Sequence, residues 1–330
     1  MAAQLYETIC TPVHLLNMPP LKLSGHIGIG ASEEEKYGHS VLLNAMMALR
    51  DGKNKNKPIH LFQQHIQEAM TRQLTLEKDL QNVSIGDEFS IVFQPQVKVS
   101  TNEIIGFESL ARWRHPLFGP ISPVEFIALA EEKLIIYQLT ERTIDYVFKI
   151  LETRKREYSF TGIVSINISS LLLEHVVFIE FVRSRLSYFD INPKQIEFEI
   201  TESVQLFSSE TVLSHLQLLR KMGIRISIDD FGTGYAALSY LSHFPVDKVK
   251  IDKHFIDQID TDRKGEAILK SIISLIKNME LYMIAEGVET ADQIRFLKER
   301  GCDHIQGYYV SKPLTEEKSD MVVKNGCYIK

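Results

Sequence analysis

From about residue 88 onward, short apolar runs rich in β-branched and aromatic residues alternate with longer stretches whose apolar positions recur every three or four residues. The short runs are FSIVFQP (89–95), IIGFESL (104–110), GIVSINIS (162–169), QIEFEI (195–200), IRISID (224–229), DKVKID (247–252), LYMIAE (281–286) and DHIQGY (303–308). Helical periodicity fills the gaps at 123–133, 138–153, 209–222, 264–279 and 290–300. Eight strands with helical crossovers in about 240 residues predict an α/β domain of the (β/α)8 TIM-barrel type. Periodicity alone leaves a doubly wound sheet open.

Ahead of this pattern, a strand-like LKLSGHIGIG (21–30) and an apolar-periodic helix around 40–50 lead into the polar run DGKNKNKP at 51–58. A further helix is expected over 62–80, with Ile66, Met70, Leu74, Leu76 and Leu80 on its apolar face, either as ordinary packing or as an interdomain or dimer helix. The boundaries are set at 1–62 for a small N-terminal α/β segment, 63–81 for a linker helix and 82–330 for the barrel domain.

The composition, 44% hydrophobic and 24% charged over 330 residues, is that of a chain able to bury a large core. No apolar run approaches the roughly 18–20 residues that span a bilayer, and the first residues lack a signal peptide's basic start and apolar stretch. Cys10, Cys302 and Cys327 are far apart and in no metal-ligand spacing, so reduced thiols and a cytoplasmic location without membrane contact are expected. A net charge of −6 argues against a nucleic-acid polymer as partner but not against a phosphate substrate, because divalent cations reverse a local field. The basic cluster Arg154-Lys155-Arg156, beside Glu152 and Glu157, reads as a solvated helix end.

Nearly every strand ends on a polar residue: Glu108, Asn167, Glu199, Asp229 with Asp230, Lys250, Glu286 and Gln306. In a barrel the carboxyl ends of the strands form one ring, where active sites are built. Five carboxylates in that ring would repel, and divalent cations relieve the repulsion. The donors are oxygens with no His or Cys among them, which favours Mg²⁺ or Mn²⁺ over Zn²⁺. Asp229 and Asp230 let one carboxylate bridge two ions, an arrangement suited to in-line displacement at phosphorus. Lys250 either orients the attacking water or forms a structural salt bridge. Asp230-Phe231-Gly232 spells a kinase magnesium motif without the rest of a kinase, and Gly25, Gly28 and Gly30 do not form a dinucleotide fingerprint. His115 and Trp113 are expected to be packing residues.

These motifs carry a resemblance. Residues 82–330 resemble the EAL-domain family of cyclic di-GMP phosphodiesterases, through GFESLARWRHP (106–116), INIS (166–169), EITES (199–203), DDFGTGYAAL (229–238), VKID (249–252), AEGVET (285–290) and QGYYVSKPL (306–314). The resemblance implies hydrolysis of cyclic di-GMP to linear 5′-pGpG with two Mg²⁺ or Mn²⁺ ions. It implies that Glu108, Asn167, Glu199 and Asp229 hold one ion and Asp229, Asp230 and Glu286 the other, with Lys250 holding the nucleophilic water. It makes Gln94, Arg112, Gln306 and Pro313 substrate contacts, with Gln306 also supporting the solvent network. Glu202 fixes the loop after the fifth strand, which takes its turns from Gly232 and Gly234. Ser109 stands where the family usually has Ala, and a small effect is expected. A homodimer through the barrel is common in that family. A non-hydrolysing cyclic di-GMP receptor acting through protein partners is the rival reading, disfavoured because each ligand position is kept. The first 62 residues resemble the end of a GGDEF domain without its signature, so no cyclase activity is expected. The chain then reads as part of a longer protein whose sensory and membrane-anchoring regions lie outside it.

Overall fold

Two units divide the chain, Met1–Asn82 and Val83–Lys330, in a computed structural model that describes residues 1–13, 19–30, 38–82, 88–202, 209–232 and 244–325. The first unit runs helix Ala2–Cys10, strand β1 (Ile27–Ile29), helix Gly38–Asn54, strand β2 (Ile59–Leu61) and helix Gln64–Asn82. β1 and β2 pair in parallel, Ile27 opposite Ile59, with the helix Gly38–Asn54 as their crossover. The polar run at 51–58 is thus a helix end and turn inside this unit, and the helix Ala2–Cys10 has no counterpart in the sequence reading. Among the described residues no helix is long and apolar enough to cross a membrane.

In the second unit the strands are β3 (Phe89–Lys98), β4 (Ile104–His115), β5 (Gly119–Ile121), β6 (Ile163–Asn167), β7 (Ile196–Thr201), β8 (Arg225–Phe231), β9 (Lys248–Ile251), β10 (Tyr282–Ala285) and β11 (His304–Ile305). Their order is β3-β11-β10-β9-β8-β7-β6-β4, and pairing of β3 with β4 closes a barrel of eight; β5 is a hairpin appended to β4. The expected doubly wound alternative is therefore excluded. One feature departs from eight equivalent repeats: β3 runs antiparallel to both β4 and β11. Its link to β4, residues 99–103, is too short for the dozen or more residues a parallel crossover needs.

The wall is built on two-residue alternation. In β7, Ile196, Phe198 and Ile200 alternate with Glu197 and Glu199, and all five are buried, at most 1% exposed. The glutamates bond to lysines on β9, two strands away, so the polar face is turned inward to the barrel axis rather than to solvent. The other face packs under amphipathic helices, among them Ile136–Tyr158, Glu210–Met222, Arg263–Asn278 and Ala291–Glu299. Their starts carry caps: Ser209 and Asp262 accept backbone N–H groups, and Thr290 forms a reciprocal capping box with Gln293.

The basic cluster corrects one expectation. Arg154 is fully buried, paired through Nε with Asp320 at 2.7 Å and lying over the ring of Phe93. It ties the C-terminal helix Glu316–Lys324 to the barrel because its guanidinium finds an anion, a hydroxyl (Ser319) and two aromatic faces together. Only Lys155 and Arg156 are the solvated side chains the cluster suggested.

Candidate active site

At the carboxyl ends of the parallel strands the predicted acids meet around one lysine. Lys250 on β9 is 1% exposed. Its Nζ lies 2.7 Å from Glu199 Oε2, 2.7 Å from Glu286 Oε1, 3.1 Å from Asp229 Oδ1 and 3.5 Å from Glu108 Oε1. Asn167 Nδ2 donates to Glu108 Oε1 at 3.0 Å, and Gln306 Nε2 donates to Glu108 Oε2 at 2.5 Å and to Gln94 Oε1 at 3.1 Å. Two carboxylate groups emerge, Glu108–Glu199–Asp229 and Asp229–Asp230–Glu286, each with ligand atoms within 4.8 Å of one another.

Adjacent residues of a regular strand point to opposite faces, so Asp229 and Asp230 should not share a site. The strand is irregular there. The register of β8 against β9 shifts between Ile228 and Phe231, and Asp230 takes a left-handed φ of 53°. The bulge turns the second carboxylate back toward Glu286. Glu202 secures the next turn: its Oε2 accepts the N–H of Gly232 at 3.0 Å. Gly232 has φ +96°, and a Cβ there would stand 2.8 Å from the Phe255 ring, so the turn demands glycine. The loop beyond it, with Gly234, lies outside the described residues.

The electrostatics follow from five acids facing one ammonium. Burial would raise the Glu108 carboxyl, but Lys250 and the amides of Gln306 and Asn167 outweigh it and hold it below the ordinary range. Glu199 is pushed well above that range by burial and the neighbouring Glu108 charge, despite Lys250. Burial pushes Glu286 up to about 8 against the pull of Lys250, and burial with Asp229 pushes Asp230 up to about 6. Burial would lower Lys250, yet the surrounding acids hold it well above its ordinary value. Glu199 Oε1 is buried without a hydrogen-bond partner. That bare oxygen, the all-oxygen donor set and the surplus of negative charge fit divalent cations of the Mg²⁺ or Mn²⁺ type.

A cavity of about 340 Å³ opens onto Glu108, Asp229, Lys250, Glu286, Gln94 and Gln306. Arg112 lines a neighbouring, mainly apolar cavity of about 190 Å³ that also touches Asn167 and Glu199. Burial lowers its pKa, opposed by the Glu108 charge. Pro313 is half-buried beside Leu314, whose backbone pairs with Phe93 of β3, and lines neither cavity. Ser109 is buried on the opposite face of β4 from Glu108, and its Oγ donates to Ser165 O at 2.7 Å. His115 is packed, its Nδ1 accepting the N–H of Leu117 and its ring stacked on Phe118.

Below the acidic ring lies a second polar layer that the sequence reading missed: Gln96, Ser165, Glu197, Ser227 and Lys248, each at most 3% exposed. Each stands two residues from a member of the ring, at Gln94, Asn167, Glu199, Asp229 and Lys250. Lys248 pairs with Glu197 at 2.8 Å, and Ser165 Oγ donates to the same carboxylate at 2.9 Å. Two-residue spacing from a polar residue of the upper ring, on five of the strands, is the signal that marks this layer.

Comparison with known proteins adds independent findings. The family described as "EAL domain" matches residues 77–313. The oxygen sensor protein DosP of Escherichia coli is 33% identical over 319 residues, 96% of this chain and 40% of that protein. The bifunctional diguanylate cyclase/cyclic di-GMP phosphodiesterase MucR of Pseudomonas aeruginosa is 31% identical over 320 residues, 96% of this chain and 47% of that protein. The chain thus spans less than half the length of these relatives. The solved structure of the PaMucR phosphodiesterase in complex with c-di-GMP superposes with a TM-score of 0.70 at 32% identity, covering 75% of this chain and 99% of that one.

Proposed function

The chain belongs to the EAL-domain family, and from that premise we propose that it hydrolyses cyclic di-GMP to linear 5′-pGpG with two Mg²⁺ or Mn²⁺ ions. One observation carries this reading: two carboxylate groups sharing Asp229 stand at the mouth of the barrel around a buried lysine. Glu108, Asn167, Glu199 and Asp229 would hold one ion, and Asp229, Asp230 and Glu286 the other. Bound there, the pair supplies Lewis acidity for activating water and for offsetting charge on the phosphodiester.

The protein's own groups do the rest. Lys250, charged and reaching four acids, would present N–H donors to the attacking water and counter the charge that develops at phosphorus. Gln94 and Gln306, bonded to each other over the cavity, would orient the substrate and the water, whereas a substrate contact at Pro313, which lines neither cavity, would need the substrate to reach beyond them. Arg112, on the same face of β4 as Glu108, would pair with a phosphate. Glu202 would keep the Asp229–Gly232 turn in place. The first unit fits the end of a GGDEF domain, and a homodimer through the barrel domain belongs to the same reading. Light scattering at rising protein concentration tests the dimer.

Incubating the chain with cyclic di-GMP and Mg²⁺ or Mn²⁺, with and without EDTA, tests the chemistry. Linear pGpG that disappears with EDTA is expected. Saturable binding without product would instead establish a receptor, and absence of both would sink either reading.

A further inference from the structure

Branched apolar side chains ordinarily fill the interior of such a barrel. Here a directed chain of hydrogen bonds occupies it. Lys248 Nζ donates to Gln96 Oε1 at 3.4 Å; Gln96 Nε2 donates to Gln306 Oε1 at 3.0 Å; Gln306 Nε2 donates to Glu108 Oε2 at 2.5 Å and to Gln94 Oε1 at 3.1 Å. Gln96 and Gln306 are 1% and 4% exposed.

The two ends dictate the direction of every bond. An ammonium only donates and a carboxylate oxygen accepts, and both oxygens of Glu108 take amide N–H groups, Oε1 from Asn167 and Oε2 from Gln306. Each amide between them therefore has a single orientation that satisfies both neighbours. Were Gln306 turned over, its Oε1 would face the Glu108 carboxylate and its NH₂ would face the NH₂ of Gln96. A buried amide chain of this kind costs desolvation that an apolar side chain of similar volume avoids. Stability therefore does not account for Gln96.

We propose that Gln96 is a positioning residue: anchored by Lys248, it sets the amide of Gln306 so that its NH₂ group fixes Glu108 and Gln94 in their working orientations. The inference rests on the hydrolysis reading for its consequence in turnover, and on the hydrogen-bond chain alone for its consequence in cation binding. Outer-layer partners of metal-binding carboxylates commonly govern affinity or activity by roughly tenfold to a hundredfold.

The test uses the full chain with Gln96→Met, which keeps length without polar atoms, and Gln96→Glu. The glutamate still accepts from Lys248 but, ionised, has no hydrogen for Gln306 Oε1. Both variants should lower kcat for cyclic di-GMP by roughly tenfold or more while KM stays within about twofold. Both should also weaken Mn²⁺ binding, measured by calorimetry without substrate, several-fold. The melting temperature of Gln96→Met should fall only slightly, because the desolvation that methionine avoids offsets the acceptor stranded on Gln306 Oε1. Should Gln96→Met not fold, Gln96→Glu decides, since its ion pair with Lys248 preserves the buried layer. Weakened Mn²⁺ binding with a parent chain that yields no pGpG would refute hydrolysis and leave the positioning role standing. Parent-like Mn²⁺ affinity in the folded variants would overturn the positioning role, whatever the turnover.

Discussion

Two layers of the same barrel interior use the same chemistry in different proportions. In the lower layer one lysine faces one acid: Lys248 and Glu197 pair at 2.8 Å, and with Ser165 the lysine outweighs burial and keeps the carboxyl below its ordinary range. In the upper layer one lysine faces the acids Glu108, Glu199, Asp229, Asp230 and Glu286, and burial and mutual repulsion drive Glu199, Asp230 and Glu286 upward. A bare carboxylate oxygen occurs in both layers, on Glu197 and on Glu199, so an orphaned atom alone does not separate them. The ratio of charges does. A balanced pair is a finished structural element, whereas a surplus of four acids is a charge imbalance that bound cations can relieve. Burial of a polar cluster therefore says little about its role until its charges are counted.

The largest effect should come from subtracting one anion from the surplus. Glu108→Gln keeps volume and the strand but removes a carboxylate, and turnover of cyclic di-GMP should fall by about a thousandfold, roughly 4 kcal/mol of transition-state stabilisation. A rate within tenfold of the parent would mean that Glu108 holds no ion. Next comes a pair of lysine replacements aimed at the contrast itself. Lys248→Met and Lys250→Met each strand buried carboxylates and should each cost roughly 3–5 kcal/mol in EDTA. Mn²⁺ should then raise the melting temperature of Lys248→Met by no more than it raises that of the parent and that of Lys250→Met by more, because only the upper layer can replace its lost cation with a bound one. Equal increments would erase the distinction between the layers. Lys250→Met should also lower kcat more than it weakens substrate binding.

Much of this was legible because the polar residues of the ring sit at the ends of apolar runs, where alternation and barrel topology together fix their direction. Three parts were not. Asp229 and Asp230 were expected to share the site, but the bulge and the left-handed residue that bring them together leave no mark in the letters DD. The lower layer was overlooked because alternating IEFEI reads as a half-solvated strand, while the closed barrel buries both faces. The antiparallel course of β3 was hidden among crossovers, although the short 99–103 link demands it. Arg154 shows the converse: three consecutive basic residues look like surface, and only the tertiary position of Asp320 reveals that the first is core.

A smaller effect separates the layers by pH. His304, at the foot of the barrel, is held down to about 4 by burial and by the charge of Lys248, and its ring stacks on Tyr282. Between its ordinary value of 6.5 and 4 the unfolded chain binds a proton that the folded chain refuses. The stability it contributes is thus complete above pH 6.5 and is lost as the pH falls toward 4, by roughly 2–3 kcal/mol. Chemical denaturation of the parent and of His304→Phe across that window should show the parent losing more. Parallel curves would place no proton-linked stability at His304.

The smallest effect concerns Ser109, whose hydroxyl donates to the backbone carbonyl of Ser165 at 2.7 Å from the face of β4 opposite Glu108. The carbonyl is that of lower-layer Ser165 on β6 and the hydroxyl is on the residue next to upper-layer Glu108 on β4, so the bond is a stitch between the two. In Ser109→Ala the stitch is lost, and the two groups fare differently: the hydroxyl is deleted, while the carbonyl oxygen of Ser165 stays and is left one donor short. Such a bond contributes about 0.5–1.5 kcal/mol. A fall in stability of that size, read from urea denaturation, with turnover within about twofold of the parent, is expected. A tenfold change in turnover would show that β4 transmits the position of its outer face to Glu108, and that the two layers are less independent than their charges imply.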